Sequence, residues 1–148
     1  MTTQSFTITP IQAADILRIA RERKAAGRRF VECHANRPYK DDRLEVTWSF
    51  ANDDDQTIEV CEAFIQKDEA VDSVSHLYPC AFPFENEMHD LYGVTVRDLL
   101  IDYQGGFYRL HFDAPMLARP GEQRVPRHAA GDAPTTPGDQ AGDAPATD

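Results

Sequence analysis

Basic charge is scarce in this chain of 148 residues: 15 Lys and Arg stand against 25 Asp and Glu, a formal net charge of -10 at pH 7. A phosphate backbone is bound by releasing its counterions to a basic patch, so nucleic acid is excluded as a partner, and anionic lipid headgroups are disfavoured for the same reason. Long apolar runs are missing too. No stretch approaches the ~20 residues of a membrane-spanning helix, and the polar N-terminus lacks the charged and apolar regions of a signal peptide. The chain therefore reads as cytoplasmic, without direct insertion into a membrane. Cysteine is the third shortage. Cys33, Cys61 and Cys80 are odd in number and widely spaced, which indicates neither a disulfide framework nor a Cys-x-x-Cys metal pair. An iron-sulfur cluster normally takes about four cysteines, so free thiols, buried or half-buried, are expected. Redox chemistry has to come from elsewhere.

Glycine and proline punctuate the chain sparsely up to Ala114, after which six of the ten prolines and four of the eight glycines occur. That stretch has almost no large apolar side chains and cannot offset its ordering entropy by burial. The composition predicts a folded domain over 1–116 and a disordered tail over 117–148, in which Gly-Asp-Ala-Pro recurs at Gly131 and Gly142 as low complexity. A domain of about 110 residues holds one core but not a large cofactor site and a substrate site together.

Within the domain, Thr9-Pro10-Ile11-Gln12 offers an N-cap, a proline at the first helical position and a capping-box partner. A first helix is predicted from there, closing at Gly27, with Arg21, Arg23 and Lys24 as a solvated basic end. Strands come next. Phe30 to Ala35 places Val31, Cys33 and Ala35 on one side, and Leu44, Val46, Trp48 and Phe50 alternate with Glu45, Thr47 and Ser49. Asn52 to Asp55 makes a turn, because short polar side chains bond to nearby backbone. Thr57 to Ile65 returns as a strand with a slip near Glu62 that suggests a bulge. Val71 to Tyr78 reads as a fourth strand. The expected fold class is α+β: an antiparallel sheet with the N-terminal helix on one face, then a short helix and an extended C-terminal arm. In that arm, Val94 to Ile101 and Phe107 to Phe112 read as extended segments joined by a turn at Tyr103-Gln104-Gly105-Gly106. Phe107 and Tyr108 then face opposite ways, which turns one aromatic outward toward a partner.

The most informative segment is Phe82-Pro83-Phe84-Glu85-Asn86-Glu87-Met88-His89-Asp90-Leu91-Tyr92-Gly93. Pro83 presets φ at a helix start, Glu85 and Glu87 complement the positive N-terminal dipole, and Gly93 stands where a left-handed cap belongs. At about 100° per residue, Phe84, Met88, Leu91 and Tyr92 share one stripe while Asn86, His89 and Asp90 point the opposite way, with Glu85 and Glu87 flanking. A metal site on Glu85 and His89 would need a third ligand that the helix does not offer. Glu85 and Glu87 lie about 160° apart, too far round to serve one substrate as acid and base. An ordinary surface helix with solvated acids also accounts for the pattern.

This segment resembles the signature of the complex I thirty-kilodalton subunit family, matched by Glu85, Glu87, Asp90, Leu91, Tyr92 and Gly93. It departs at Asn86, where that signature has arginine, and at Leu99, where it has His or Lys. With Asp102-Tyr103-Gln104-Gly105-Gly106-Phe107-Tyr108-Arg109-Leu110, the run is similar to the D-type small subunit of energy-converting, Ech-type membrane-bound nickel-iron hydrogenases, over roughly Ser73 to Met116. The resemblance implies a subunit with no catalytic centre, cofactor or metal of its own. Its implied partners are the nickel-iron large subunit and the iron-sulfur small subunit, with membrane subunits reached indirectly. The complex would sit on the cytoplasmic face of the membrane and couple ferredoxin-linked hydrogen chemistry to ion translocation. The interface residues so implied are Glu85, Asn86, Glu87, His89, Asp90, Tyr92, Phe107, Tyr108 and Arg109. The equivalent subunit of a complex I-like quinone reductase is the alternative, and an independent small hydrolase built around Glu85, Glu87 and His89 a third.

Overall fold

The computed structural model describes residues 5–127. The chain runs β1 (Ser5–Pro10), α1 (Ile16–Ala25), β2 (Arg29–Asn36), β3 (Leu44–Asn52), β4 (Thr57–Ile65), β5 (Ala70–Asp72), α2 (Phe82–Tyr92), β6 (Thr95–Arg97), β7 (Phe112–Asp113) and β8 (Val125–Pro126). The main sheet has the order β1-β4-β3-β2. β2, β3 and β4 form the expected antiparallel body, and β1 adds to β4 in parallel, making the sheet mixed. The fold class is α+β.

The first helix starts later than the sequence pattern suggests. Thr9 and Pro10 end a strand, and α1 begins only at Ile16 after a 3-10 turn over Ala13–Asp15. Pro10 costs nothing at the end of an edge strand, where no partner waits for its missing N–H. Thr9 donates to Glu59 rather than capping a helix, and the Ile11 N–H extends the ladder to the Glu62 carbonyl. Arg23, expected in solvent, grips the same Glu59 carboxylate through Nε at 2.7 Å and Nη2 at 2.9 Å, tying α1 to β4. Gly27 closes the helix at φ 73 as anticipated.

Two further differences concern the strands. The bulge expected near Glu62 is absent, since β3 and β4 pair without a shift; the irregularity lies in β2 between Phe30 and Glu32. It turns Phe30, Cys33 and Ala35 inward and leaves Val31 half-buried. The predicted strand over Val71 to Tyr78 shrinks to β5, which pairs in parallel with β6. Beyond Asp72, the N–H groups of Leu77 and Tyr78 both turn back to the Val74 carbonyl, so the backbone leaves the extended state.

The core lies on one face of the sheet. Leu44, Val46, Trp48 and Phe50 alternate into it as expected and meet Cys33, Ala35, Cys61, Ala63 and Ile65 from the flanking strands. Ile16, Ile19 and Ala20 of α1 and Met88 of α2 close over them. Both helices therefore cover the same side. On the other side stand the alternate residues of each strand, with Phe6 63 % and Ile8 54 % exposed.

Residues 117–127 belong to the folded body, so the boundary expected at Met116 falls too early. The Arg37 side chain, 8 % exposed, donates through Nη1 to the Leu117 carbonyl at 2.5 Å and to Glu122 at 2.7 Å. Arg119 reaches back to the carbonyls of Pro38 and Asp41, and β8 pairs antiparallel with β7. Composition missed this because the anchors are two arginines and one apolar residue, Leu117, which packs against the core, rather than an apolar cluster. The rest of the expected tail, 128–148, lies outside the described residues.

Candidate functional site

The helix predicted from the signature is α2, with Pro83 in its first turn and Gly93 at φ 71 as its left-handed cap. The Gly93 N–H bonds to the His89 carbonyl and the Val94 N–H to Met88, the paired closure that lets the chain reverse at once. A Cβ on Gly93 would stand 3.3 Å from the Ala114 side chain, so this position answers to both conformation and space. Three of the four stripe residues face the core: Met88 is buried, and Phe84 and Tyr92 pack against the cluster, while Leu91 is half-buried outside it.

On the opposite, polar side, two of the three residues are buried. Asn86 and Asp90 are each 1 % exposed, because the chain after β6 folds back over them. Asn86 uses its whole amide: Nδ2 donates to the carbonyls of Phe82 and Ile101 at 2.8 Å each, and Oδ1 accepts the Tyr103 N–H at 2.9 Å. Asp90 Oδ2 accepts the Tyr108 N–H at 2.7 Å, while Oδ1 is buried with no hydrogen-bond partner among the described residues. Glu85 is also buried, taking the Ser73 hydroxyl at 2.7 Å and the Val74 N–H at 2.7 Å. Burial pushes its carboxyl above the ordinary range, and these two donors pull the other way. Ser75, bonded to Ser73, accepts the Leu100 N–H. Three residues expected to contact another subunit thus brace their own fold. The physical reason is a helix sandwiched between the core and a returning loop, which removes the solvent side that a helical wheel assumes.

The remaining candidates lie nearer the surface. Glu87 accepts the Tyr108 hydroxyl at 2.6 Å, which holds that phenol above its ordinary pKa. His89 Nδ1 sits 3.0 Å from the Val94 carbonyl, and since a carbonyl only accepts, Nδ1 carries the proton. Its other nitrogen faces buried Gly105, at φ 78. Tyr92 is half-buried against the core, and Arg109 is exposed. The rings of Phe107 and Tyr108 do not face opposite ways: they meet edge to face at 5.0 Å, and Tyr103 stands 5.2 Å from Phe107. The Asp90 bond to the Tyr108 backbone bends this stretch out of the strand conformation that the alternation implied. Glu85, Glu87 and His89 point to Ser73, Tyr108 and Val94 respectively and do not converge on a cleft, which leaves the hydrolase reading without a site. No sequence pattern marks Ser73 and Ser75, whose place beneath Glu85 depends on the turn after β5.

Together α2 and its loop build a presented surface. Leu100, Ile101, Tyr103 and Tyr108 are between 38 % and 48 % exposed, on a loop fixed from beneath by Asn86, Asp90 and Ser75. The family model for the respiratory-chain NADH dehydrogenase, 30 Kd subunit, matches residues 6–100, from β1 to the start of this loop. The chain belongs to that family. Among solved structures, this thirty-kilodalton-type subunit is similar to a chain of the membrane-bound sulfane sulfur reductase, an archaeal respiratory membrane complex, at 18% sequence identity and a TM-score of 0.55. The likeness covers 70% of this subunit and 64% of that chain, and it shows the shared fold. No curated protein sequence matches. Among the described residues no helix is long and apolar enough to cross a membrane.

Proposed function

We propose that this chain is a structural subunit, without a redox centre of its own, in the peripheral arm of a membrane-bound oxidoreductase related to complex I, and specifically of the energy-converting nickel-iron hydrogenase type. The observation that carries the reading is the loop over α2. Asn86 and Asp90 are spent on holding an aromatic surface in which Tyr103 and Tyr108 are exposed and Phe107 is half-buried between them, and an ordered aromatic cluster is what an assembly contact needs. Glu87, Tyr108 and Arg109 supply its polar rim. Cys33 and Cys61 are held protonated, the second at about 11, because burial disfavours the thiolate that would bind a metal. Those two thiols serve packing.

Asn86 supports the hydrogenase branch over the quinone reductase. The complex I signature has arginine at that position, and an arginine could donate to the Ile101 carbonyl but has no acceptor for the Tyr103 N–H. The loop conformation of this chain and its departure from the signature go together. The equivalent subunit of a complex I-like NADH or quinone oxidoreductase is the second reading, favoured by the family match itself. Under the first, the partners are the nickel-iron large subunit and the iron-sulfur small subunit, and the chain is peripheral on the cytoplasmic face of the membrane through them.

Gentle purification of the tagged full-length chain from its own cells, with peptide identification of the proteins that accompany it, tests the proposal. A large subunit with nickel-binding cysteines supports the hydrogenase. A flavin-bearing NADH-oxidising chain in its place would select the second reading, and elution of the chain alone would overturn both.

A further inference from the structure

The outer face of the main sheet, opposite α1 and α2, divides into two halves. At the β1 edge it is apolar: Phe6 and Ile8 stand beside Ile58 and Val60 through the parallel pairing of β1 with β4. Toward β2 it is acidic. Glu32, Glu45 and Glu62 project on this side, around Thr47 and His34, whose Oγ1 and Nδ1 lie 3.1 Å apart. Partial burial and the neighbouring Glu45 carboxylate hold the Glu62 carboxyl above its ordinary range. Among the described residues no Lys or Arg pairs with these three acids. Arg43, paired with Asp41, lies 4.9 Å over the ring of Phe64, which stands on this face opposite Glu45, and His34 Nδ1 is 3.6 Å from Glu32; neither reaches Glu45 or Glu62.

We infer that this face is a second docking surface, taken by a segment of another subunit that carries apolar residues flanked by Lys or Arg. Charge complementarity selects that occupant. Carboxylates side by side repel, and a cation brought between Glu45 and Glu62 removes the repulsion while apolar groups cover Ile8 and Val60. The chain's own residues 128–148 do not fit, because they hold four Asp and no Lys or Arg. A second copy docked by the same face would place more carboxylate near carboxylate. The surface lies on the reverse of the sheet from the Tyr103-Phe107-Tyr108 loop, so the domain would sit between two neighbours. This inference rests on the reading of the chain as a subunit.

A photo-crosslinking amino acid at Val60, and separately at Phe107, in the full-length chain within its native assembly would test it. The expected result is that Val60 crosslinks to one fixed segment of a different chain with Lys or Arg within about two helical turns of the linked residue. Combining Glu45→Lys with Glu62→Lys should cut that yield about tenfold at low salt, as should Ile8→Glu, while the Phe107 crosslink persists. The melting temperature of each purified variant separates lost docking from lost folding. Crosslinks from Phe107 with none from Val60, Val60 crosslinks to a second copy or to residues 128–148, or a yield indifferent to both variants would overturn the inference and leave the subunit reading intact. If neither position reaches another chain, both fail.

Discussion

Asp90 Oδ2 accepts the backbone N–H of Tyr108 at 2.7 Å across 18 residues of chain, so Asp90 near the end of α2 holds the far end of the loop that Asn86 and Ser75 hold at its start. A bond from buried carboxylate to backbone amide is charge-assisted, and its loss strands the amide as well as the loop. Asp90→Ala should therefore lower the stability of the isolated chain by about 2 kcal/mol, measured by urea denaturation at pH 7. An unchanged midpoint would mean that the loop is held by its aromatic packing alone.

Asn86→Ala removes three hydrogen bonds at once and leaves the Ile101 carbonyl and the Tyr103 N–H without partners. A loss of about 2 to 3 kcal/mol is expected. Asn86→Arg should be nearly as costly, because guanidinium lacks the acceptor that Tyr103 requires. Faster amide exchange at Tyr103 in both variants would be the direct sign; full stability in Asn86→Arg would remove the structural reason for linking this residue to one branch of the family.

The acid at Glu85 makes stability depend on pH in a definite direction. Its carboxyl is raised in the fold by burial, so the folded state holds the proton more tightly than the unfolded chain does. The contribution is complete below the unfolded value of about 4.3 and declines as pH rises through the folded value. Glu85→Gln keeps an acceptor for Val74 without the charge. Relative to this variant, the parent chain should lose stability as pH rises from about 4.3 toward neutrality, as read from melting temperatures over that rise. A difference that stays flat with pH would show the carboxyl to be unshifted.

Two truncations distinguish the braced arm from the residues beyond Arg127. Ending the chain after Ala118 removes Arg119, Glu122 and β8, and leaves the buried Arg37 with only the longer contact to exposed Asp42 at 3.6 Å. A cost of about 3 kcal/mol is expected, comparable to breaking a buried ion pair. Ending it after Arg127 should change stability by no more than about 0.5 kcal/mol, because the residues removed have no composition from which a core could form. Equal melting temperatures for the two truncations would show that the Arg37 anchor contributes nothing.

Gly93→Ala tests the turn out of α2. The left-handed φ of 71 and the 3.3 Å approach to Ala114 act in the same direction, and a loss of about 1 to 2 kcal/mol should result. A helix content and midpoint equal to the parent's would mean that the cap relaxes freely.

Features that depend on near neighbours in the chain were legible in the residues alone. The strict alternation of Leu44, Val46, Trp48 and Phe50 made β3 plain, and Pro83 and Gly93 marked the limits of α2, because propensity and period act within a few residues. The motif also carried the family. The role of that motif's polar residues, by contrast, emerged only with the folded chain. Helical periodicity puts Asn86 and Asp90 opposite the apolar stripe, but whether that side meets water, a partner or the same chain depends on where residues 101–108 return. Likewise, Ser5 to Pro10 becomes a strand only because β4 offers an edge, and Arg37 becomes an anchor only because Leu117 and Glu122 arrive beside it. Contacts between residues so far apart leave no local pattern to read: each is set by the free energy of closing the whole fold and not by the neighbours of either residue.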